Sequence, residues 1–404
     1  MSWPVVRLKD IAELINGDRS KNYPSGSDIV DSGVLFLNSK NIVNNKLDLR
    51  FKNFITQEKF ESLSRGKLER NDLVITLRGT LGSCCIFSSK YATGFINAQM
   101  MIIRPNNKVD ADYLYYFITS PDTKNRFERL NTGSAVPQLT GKQVGELEIP
   151  LPPLEEQKRI AAILGKADAI RQKRKQAIEL ADEFLRCVFL DMFGDPVVNP
   201  RDWEQVTLST LSEKILNGTT PKGGSDVYVE KGIAFLRSQN VWKKRIDLDD
   251  IVCLDDETHA KMSKSSLKHK DILITKTGRI NTENSSLGRA AIYYGPDDEA
   301  NINGHVYLVR LKPDNVHEFI EFILTTKEYR DHIRSICVGG IDKRQLNKNH
   351  IEDFPIICPP SNEQQRFVKI LHQSQKVLDN YKEQLGGAQN NFSALSQKAF
   401  SDQL

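Results

Sequence analysis

Two kinds of apolar pattern alternate along the chain, and each occurs twice. Short runs such as Val34-Leu35-Phe36-Leu37 and Asp72-Leu73-Val74-Ile75-Thr76, bounded by Gly, Asn and Lys, predict strands. Residues 112–130 and 316–336 carry apolar and aromatic side chains every three or four positions, which predicts a helix in each. Prolines then close both segments, at Pro150-Leu151-Pro152-Pro153 and at Pro355 to Pro359-Pro360. Proline disfavours helix in the residue before it and tolerates the first turn after it. A long helix is expected just beyond each stop, with Glu155-Glu156 and Glu363 near its start, where the helix dipole favours acids.

The first long helix, about 154–193, places Ile160, Ile163, Ala167, Ile170, Ala177, Ala181, Phe184 and Val188 on one three-four stripe, broken at Arg174. The second, about 361–400, begins a stripe at Phe367, Ile370, Val377 and Tyr381 and resumes it at Leu385, Ala388, Phe392, Leu395 and Ala399. Gly386-Gly387 is expected to loosen or kink it. Two such stripes predict an antiparallel intramolecular coiled coil, with Ile160, Ile163, Ala167, Ile170, Phe184, Phe367, Ile370, Val377 and Tyr381 in its core. The alternative is a helix pair packed on each module's own core. Forty residues of helix span about 60 Å, at about 1.5 Å per residue, which suits a spacer.

The chain repeats itself. Gly33 to Ile42 matches Gly232 to Val241 at an offset of 199, which holds through Asp72-Leu73-Val74-Ile75-Thr76 against Asp271-Ile272-Leu273-Ile274-Thr275 and through Gly79 against Gly278. Gly82 then pairs with Gly288 and Arg104 with Arg310 at 206, and Gln138-Leu139 pairs with Gln345-Leu346 at 207. The second half therefore holds seven extra residues within 279–287, a polar stretch expected to be a surface loop. The predicted fold class is α+β: modules at 1–153 and 195–360, and long helices at 154–194 and 361–404.

Composition narrows the function. The 404 residues are 39% hydrophobic and 27% charged, as in soluble globular proteins, with no apolar run approaching the roughly 18 residues of a spanning helix. The start, Met1-Ser2-Trp3-Pro4, carries no signal-peptide pattern, and the six cysteines form no CxxC pair, which suggests reduced thiols in a cytoplasmic protein. Net charge is only +4, so any nucleic-acid surface must come from clustering.

No catalytic or metal-binding constellation emerges. Gly141-Lys142 is followed by Gln143, and Val136 stands where a phosphate loop needs its first glycine. All seven histidines lie in the second half, so a mechanism shared by both repeats cannot use one. Basic and amide residues, in contrast, gather in loops at matching places: Asn38, Lys40, Arg65, Lys67, Arg78, Thr80 and Gln138 in the first module, and Arg237, Gln239, Lys243, Lys276, Arg279, Asn281, Lys343 and Arg344 in the second. Arg and Lys suit guanine and phosphate, and Asn and Gln suit adenine. Each alone is equally an ordinary solvated side chain; their coincidence across two repeats points to DNA.

With Leu151-Pro152-Pro153-Leu154-Glu155-Glu156-Gln157-Lys158-Arg159-Ile160, echoed at 358–367, and the tail Phe189-Leu190-Asp191-Met192-Phe193-Gly194-Asp195-Pro196, the chain resembles the specificity (HsdS) subunit of type I restriction-modification systems over nearly its whole length. The resemblance implies two target recognition domains reading the halves of an asymmetric bipartite site in double-stranded DNA. It implies long helices that act as a ruler and dock two copies of an adenine-N6 methyltransferase subunit and, through them, a restriction and translocase subunit. No cofactor is then expected on this chain; S-adenosylmethionine, ATP and Mg2+ belong to the partners. The competing reading is a coiled-coil adaptor whose modules bind protein.

Overall fold

The computed structural model describes residues 3–21, 23–131, 137–282 and 284–401, so Met1, Ser2, Val136 and Glu283 lie outside it. The chain divides into two compact units, one of residues 1–177 with 381–404, the other of residues 178–380.

Each unit is built around one central strand, Leu73–Thr76 or Ile272–Thr275, in which every residue is buried. The apolar run is continuous because the strand has a core on both faces. Leu73 and Ile75 point into one cluster and Val74 into another; Ile272 and Ile274 divide from Leu273 in the same way. Around it stand antiparallel four-stranded sheets, in the order Cys84–Ile86, Leu73–Thr76, Met100–Pro105, Ala12–Asn16 in the first unit and Ser212–Asn217, Val306–Leu311, Ile272–Thr275, Ala290–Ile292 in the second. A second sheet in each contains a parallel pair, Val34–Leu37 with Gly94–Ile96 and Ile233–Leu236 with Ala300–Ile302. Short pairs, Val5–Arg7 with Glu148–Pro150 and Gln205–Thr207 with Pro355–Ile357, tie each module's entry to its exit.

The same buried ion pair anchors both central strands. Arg104 donates to both carboxylate oxygens of Asp72, each at 2.9 Å, and Arg310 to both of Asp271, at 2.9 and 2.7 Å. Both aspartates are only 1% exposed. Each arginine also satisfies a backbone carbonyl, Lys67 or Ser266, so neither charge is buried alone.

Each expected helix at 112–130 and 316–336 is in fact two. Ala111–Ile118 stops before Ser120, which caps Pro121–Arg129; His317–Thr325 stops before Thr326, which caps Lys327–Ile336. Cap hydroxyls at Ser120 and Thr326 favour a new helix start over continuation.

The long helices run Leu154–Phe193 and Ser361–Phe400, and the second passes through Gly386 and Gly387 without a break. They pack antiparallel. In the first unit the Arg171 guanidinium lies 4.6 Å from the Phe392 ring centre and donates to Gln389 at 3.1 Å, and Arg174 lies 5.9 Å from Tyr381. In the second unit Phe189 and Phe193 meet Phe367 at ring separations of 5.3 and 5.8 Å.

The buried stripe on the first helix differs from the expected one by a residue. Ile160, Ala167 and Phe367 are buried, and Ile163, Ile370 and Tyr381 are half-buried. Ile170, Phe184 and Val377, expected in the core, are 54%, 55% and 50% exposed. Leu164, Leu185, Leu371 and Leu378 are buried instead. The seam passes through Arg171 and Arg174, whose stems and guanidinium faces cover aromatic rings. A reading based on apolar positions rejects that register because it adds Arg171 to the seam in place of Ile170.

Replacing Leu185 with Ala should cost about 2–5 kcal/mol, measured by urea unfolding, because it opens a cavity in a packed core. Phe184→Ala should change stability by less than about 0.5 kcal/mol, as for other exposed sites. Equal losses would contradict this burial register.

Candidate nucleic-acid interface

The loop leaving each central strand is clamped by the strand's last residue. The Thr76 hydroxyl donates to the Thr80 carbonyl and accepts from the Ser83 amide at 3.1 Å. The Thr275 hydroxyl donates to the Ser286 carbonyl and accepts from the Arg289 amide at 2.8 Å. The seven extra residues are therefore strung between anchor points present in both units. They do not form a wholly polar surface loop as expected: Asn281, Thr282 and Asn284 are exposed, while Ser285 and Leu287 fold back and are buried. Leu287 enters the main core of the unit, which outweighs keeping the loop in solvent.

In both units this loop meets a segment some sixty residues later. In the first, Arg78 forms a bridge with Gln138 and donates from Nε to its Oε1 at 3.0 Å. In the second, the contact grows into a three-stranded ribbon in which Thr277 pairs with Gln345, Gly278 with Arg344 and Arg279 with Lys343. Arg279 is 70% exposed and 3.3 Å from Asp342, and Lys343 is exposed. Arg344 instead reaches back to the carbonyls of Gly340 and Cys337, so its guanidinium holds the hairpin. The hairpin turn presents Ile341, 91% exposed. A search for basic and amide residues passes over Ile341; its signal is an isolated aliphatic in the polar turn Gly339-Gly340-Ile341-Asp342. Thr80 and Asn281 are exposed beside these segments, and Lys276 is half-buried with its ammonium 5.9 Å from the Tyr307 ring centre.

The second group of candidates lies after Val34–Leu37 and Ile233–Leu236. Here the organising residue is a buried asparagine absent from the expected set. Asn41 donates to the carbonyls of Asp48 and Phe51 at 3.0 and 2.9 Å and accepts from the Asn38 amide; Asn240 repeats this with Asp247, Asp250 and Arg237. Asn38 itself caps the Lys40 amide at 2.9 Å. Arg237 and Gln239 both engage the Asp250 carboxylate, so they brace the loop. In the first unit Phe51, 87% exposed, stands where the second has Asp250. Lys40 and Arg65 are exposed, and Lys67 is tethered to the Glu61 carbonyl at 3.3 Å. Lys243 lies apart from the ribbon, in a cleft beside the first long helix.

Among the described residues no group of three or more His, Cys, Asp or Glu could hold a metal ion, and no helix is long and apolar enough to cross a membrane.

Two repeated scaffolds thus carry unlike exposed loops. The family model for the type I restriction modification DNA specificity domain matches residues 1–180 and 200–385, and the chain belongs to that family. It is thus a DNA specificity subunit of a type I restriction-modification system, a non-catalytic member of its complex. It is 24% identical over 408 residues to the MjaIX specificity subunit of Methanocaldococcus jannaschii, covering 94% of this chain and 89% of that one. It is 21% identical to the StySPI specificity subunit of Salmonella potsdam, covering 100% and 89%. Its fold matches the crystal structure of the S subunit from M. genitalium with a TM-score of 0.52 at 16% identity, covering 99% of this chain and 96% of that one. A chain from a structure on assembly and conformational transition of the type I R-M system matches at 0.54 and 17%, covering 100% and 98%.

Asn240→Ala should cost on the order of 1–3 kcal/mol, since the carbonyls of Asp247 and Asp250 lose their shared donor. Amide exchange should speed up at residues 247–250 before it does in the central strand. Unchanged exchange there would remove Asn240 from this role.

Proposed function

We propose that each module reads one half of an asymmetric bipartite DNA site, and that the two long helices set the spacing of the halves and dock two adenine-N6 methyltransferase subunits. The observation that carries this reading is the repeated pairing of loop and return segment, Arg78 with Gln138 and Thr277 to Arg279 with Lys343 to Gln345. One scaffold position is thus filled with different chemistry in each half. A β-ribbon fits the major groove, where Arg and Lys read guanine and an aliphatic side chain contacts the thymine methyl. Arg279 and Lys343 are the polar readers in the second module and Ile341 the apolar one. Arg78, Gln138, Thr80 and Lys40 serve in the first, with Arg65 on phosphate.

The exposed apolar residues of the long helices, Ile170, Leu180, Phe184 and Val377, offer docking points for the methyltransferase. S-adenosylmethionine then resides on the methyltransferase, and ATP and Mg2+ on a restriction and translocase subunit recruited through it, in the cytoplasm.

The test is a genome-wide map of N6-methyladenine in a host lacking its own methylation, with this chain and its methyltransferase co-expressed. The expected motif has two defined halves around an unspecified spacer; a continuous motif would leave one module without a reading role. Ile341→Ala should relax one position of one half and leave the other half intact. Uniformly weaker methylation with an unchanged motif would move Ile341 out of base reading.

Inserting one heptad into both helices, after Ala177 and after Asn380, adds about 10 Å at about 1.5 Å per residue. The spacer should widen by about three base pairs at about 3.4 Å each. An unchanged spacer would remove the ruler role.

A further inference from the structure

We propose that the second unit carries an anion pocket for a phosphate group, separate from the base-reading ribbon. A cleft of about 640 Å³ opens between residues 179–186 of the first long helix, the turn at 242–244, the segment 284–289 and the start of the helix Lys327–Ile336. Seven cations line it: Arg186 and Arg334, which are paired with acids, and five more, Lys243, Lys244, Arg289, Lys327 and Arg330. None of the five forms an ion pair with a described carboxylate.

The acids nearby do not neutralise them. Glu183 is taken by Arg186 at 2.9 Å and Asp331 by Arg334 at 3.0 Å. Glu321, behind Lys244, accepts from the Ile292 amide at 2.8 Å, and burial holds its carboxyl up at about 7. Glu328, which also acts on Lys243, is held by Arg186, and of the described acids lining the cleft Glu179 and Asp182 remain, on the helix side.

Arg289 and Lys244 are positioned by neutral groups, which leaves donors for a ligand. Arg289, 8% exposed, gives its Nε to the Ser285 carbonyl at 3.1 Å and stacks 3.9 Å from the Trp242 ring centre. The Lys244 ammonium sits 3.7 Å from the Phe322 ring centre. Burial, and then repulsion from Lys243, draws Lys244 down to about 8; burial also lowers Lys243, Arg289 and Arg330. Gathering unpaired cations in a partly desolvated site opposes folding, and an incoming anion relieves that penalty. Arginine forks and lysine points together match the oxygens of a phosphate.

The pocket is not a requirement of the fold. At the corresponding positions the first unit has Asn44, Asn45, Ser83, Pro121 and Lys124, so one cation remains of five. Asn45 holds the same left-handed backbone as its counterpart Lys244, with φ of 59° against 57°.

That equivalence supplies a variant compatible with the backbone, Lys243→Asn with Lys244→Asn. Trp242 emission of the full chain is followed while inorganic phosphate replaces chloride at constant ionic strength, with Trp242→Phe identifying the signal. Saturable binding, weakened at least tenfold in the double variant and in Arg330→Gln at unchanged melting temperature, is the expected result. A response identical to chloride, or equal binding in the variants, would overturn the pocket. Addition of a short duplex then identifies the source of the phosphate. Competition between duplex and phosphate, with the variants weakening all duplex sequences alike, assigns the pocket to the DNA backbone. Phosphate that stays bound beside duplex assigns it to a free phosphorylated molecule. A chain that binds phosphate but no duplex would leave the pocket standing and refute the DNA reading instead.

Discussion

Neither core of this protein closes without both long helices. In the first unit, Ile160 and Leu164 from near the start of one helix share a cluster with Phe392 and Ala399 from near the end of the other. In the second, Leu185, Phe189 and Phe193 meet Phe367, Leu371 and Leu378. Each helix thus buries one end in each unit, and antiparallel pairing follows from that exchange. The apolar area involved is large; the aromatic side chains alone each remove on the order of 150–250 Å² from water. Residues about 170 to 240 positions apart must therefore be present together before either unit is complete.

On this frame, the contacts that hold the fold and the exposed residues that vary occupy different positions. The bidentate pairs Asp72–Arg104 and Asp271–Arg310, the loop-pinning Asn41 and Asn240, and the clamping hydroxyls of Thr76 and Thr275 recur in both halves with the same partners. The exposed residues between them do not recur. Phe51 stands opposite Asp250, Asn44 and Asn45 opposite Lys243 and Lys244, and seven residues are added without disturbing the clamp. A loop fixed at both ends by buried polar contacts can change its tip at little cost to the core. Such an arrangement lets a chain acquire two recognition surfaces from one fold.

Much of the fold is legible in the chain itself. The repeat, the strand-rich modules, the proline stops and both forty-residue helices all follow from spacing, because periodicity and proline act locally along the chain. The break between the paired short helices is also written there, in Ser120 and Thr326, but a three-four pattern runs across it unchanged. The helix register is not legible. Adjacent stripes on the first helix are both partly apolar, and the buried one contains Arg171 and Arg174, whose partners Phe392 and Tyr381 lie on the far helix.

The candidate interface divides in the same way. Residue type and repeat position alone located the two loops that meet in each unit, since Arg78, Gln138, Arg279 and Lys343 are all polar residues at matching places. Only the tertiary structure separated side chains that face solvent from those that brace the loop. Arg237, Gln239 and Arg344 carry the expected chemistry but spend it on Asp250 and on backbone carbonyls, while Ile341 lacks that chemistry and stands exposed. Sequence determines which groups are available and with what period they recur. Which of them a neighbour satisfies depends on contacts between distant segments, and those exist only once the cores have closed.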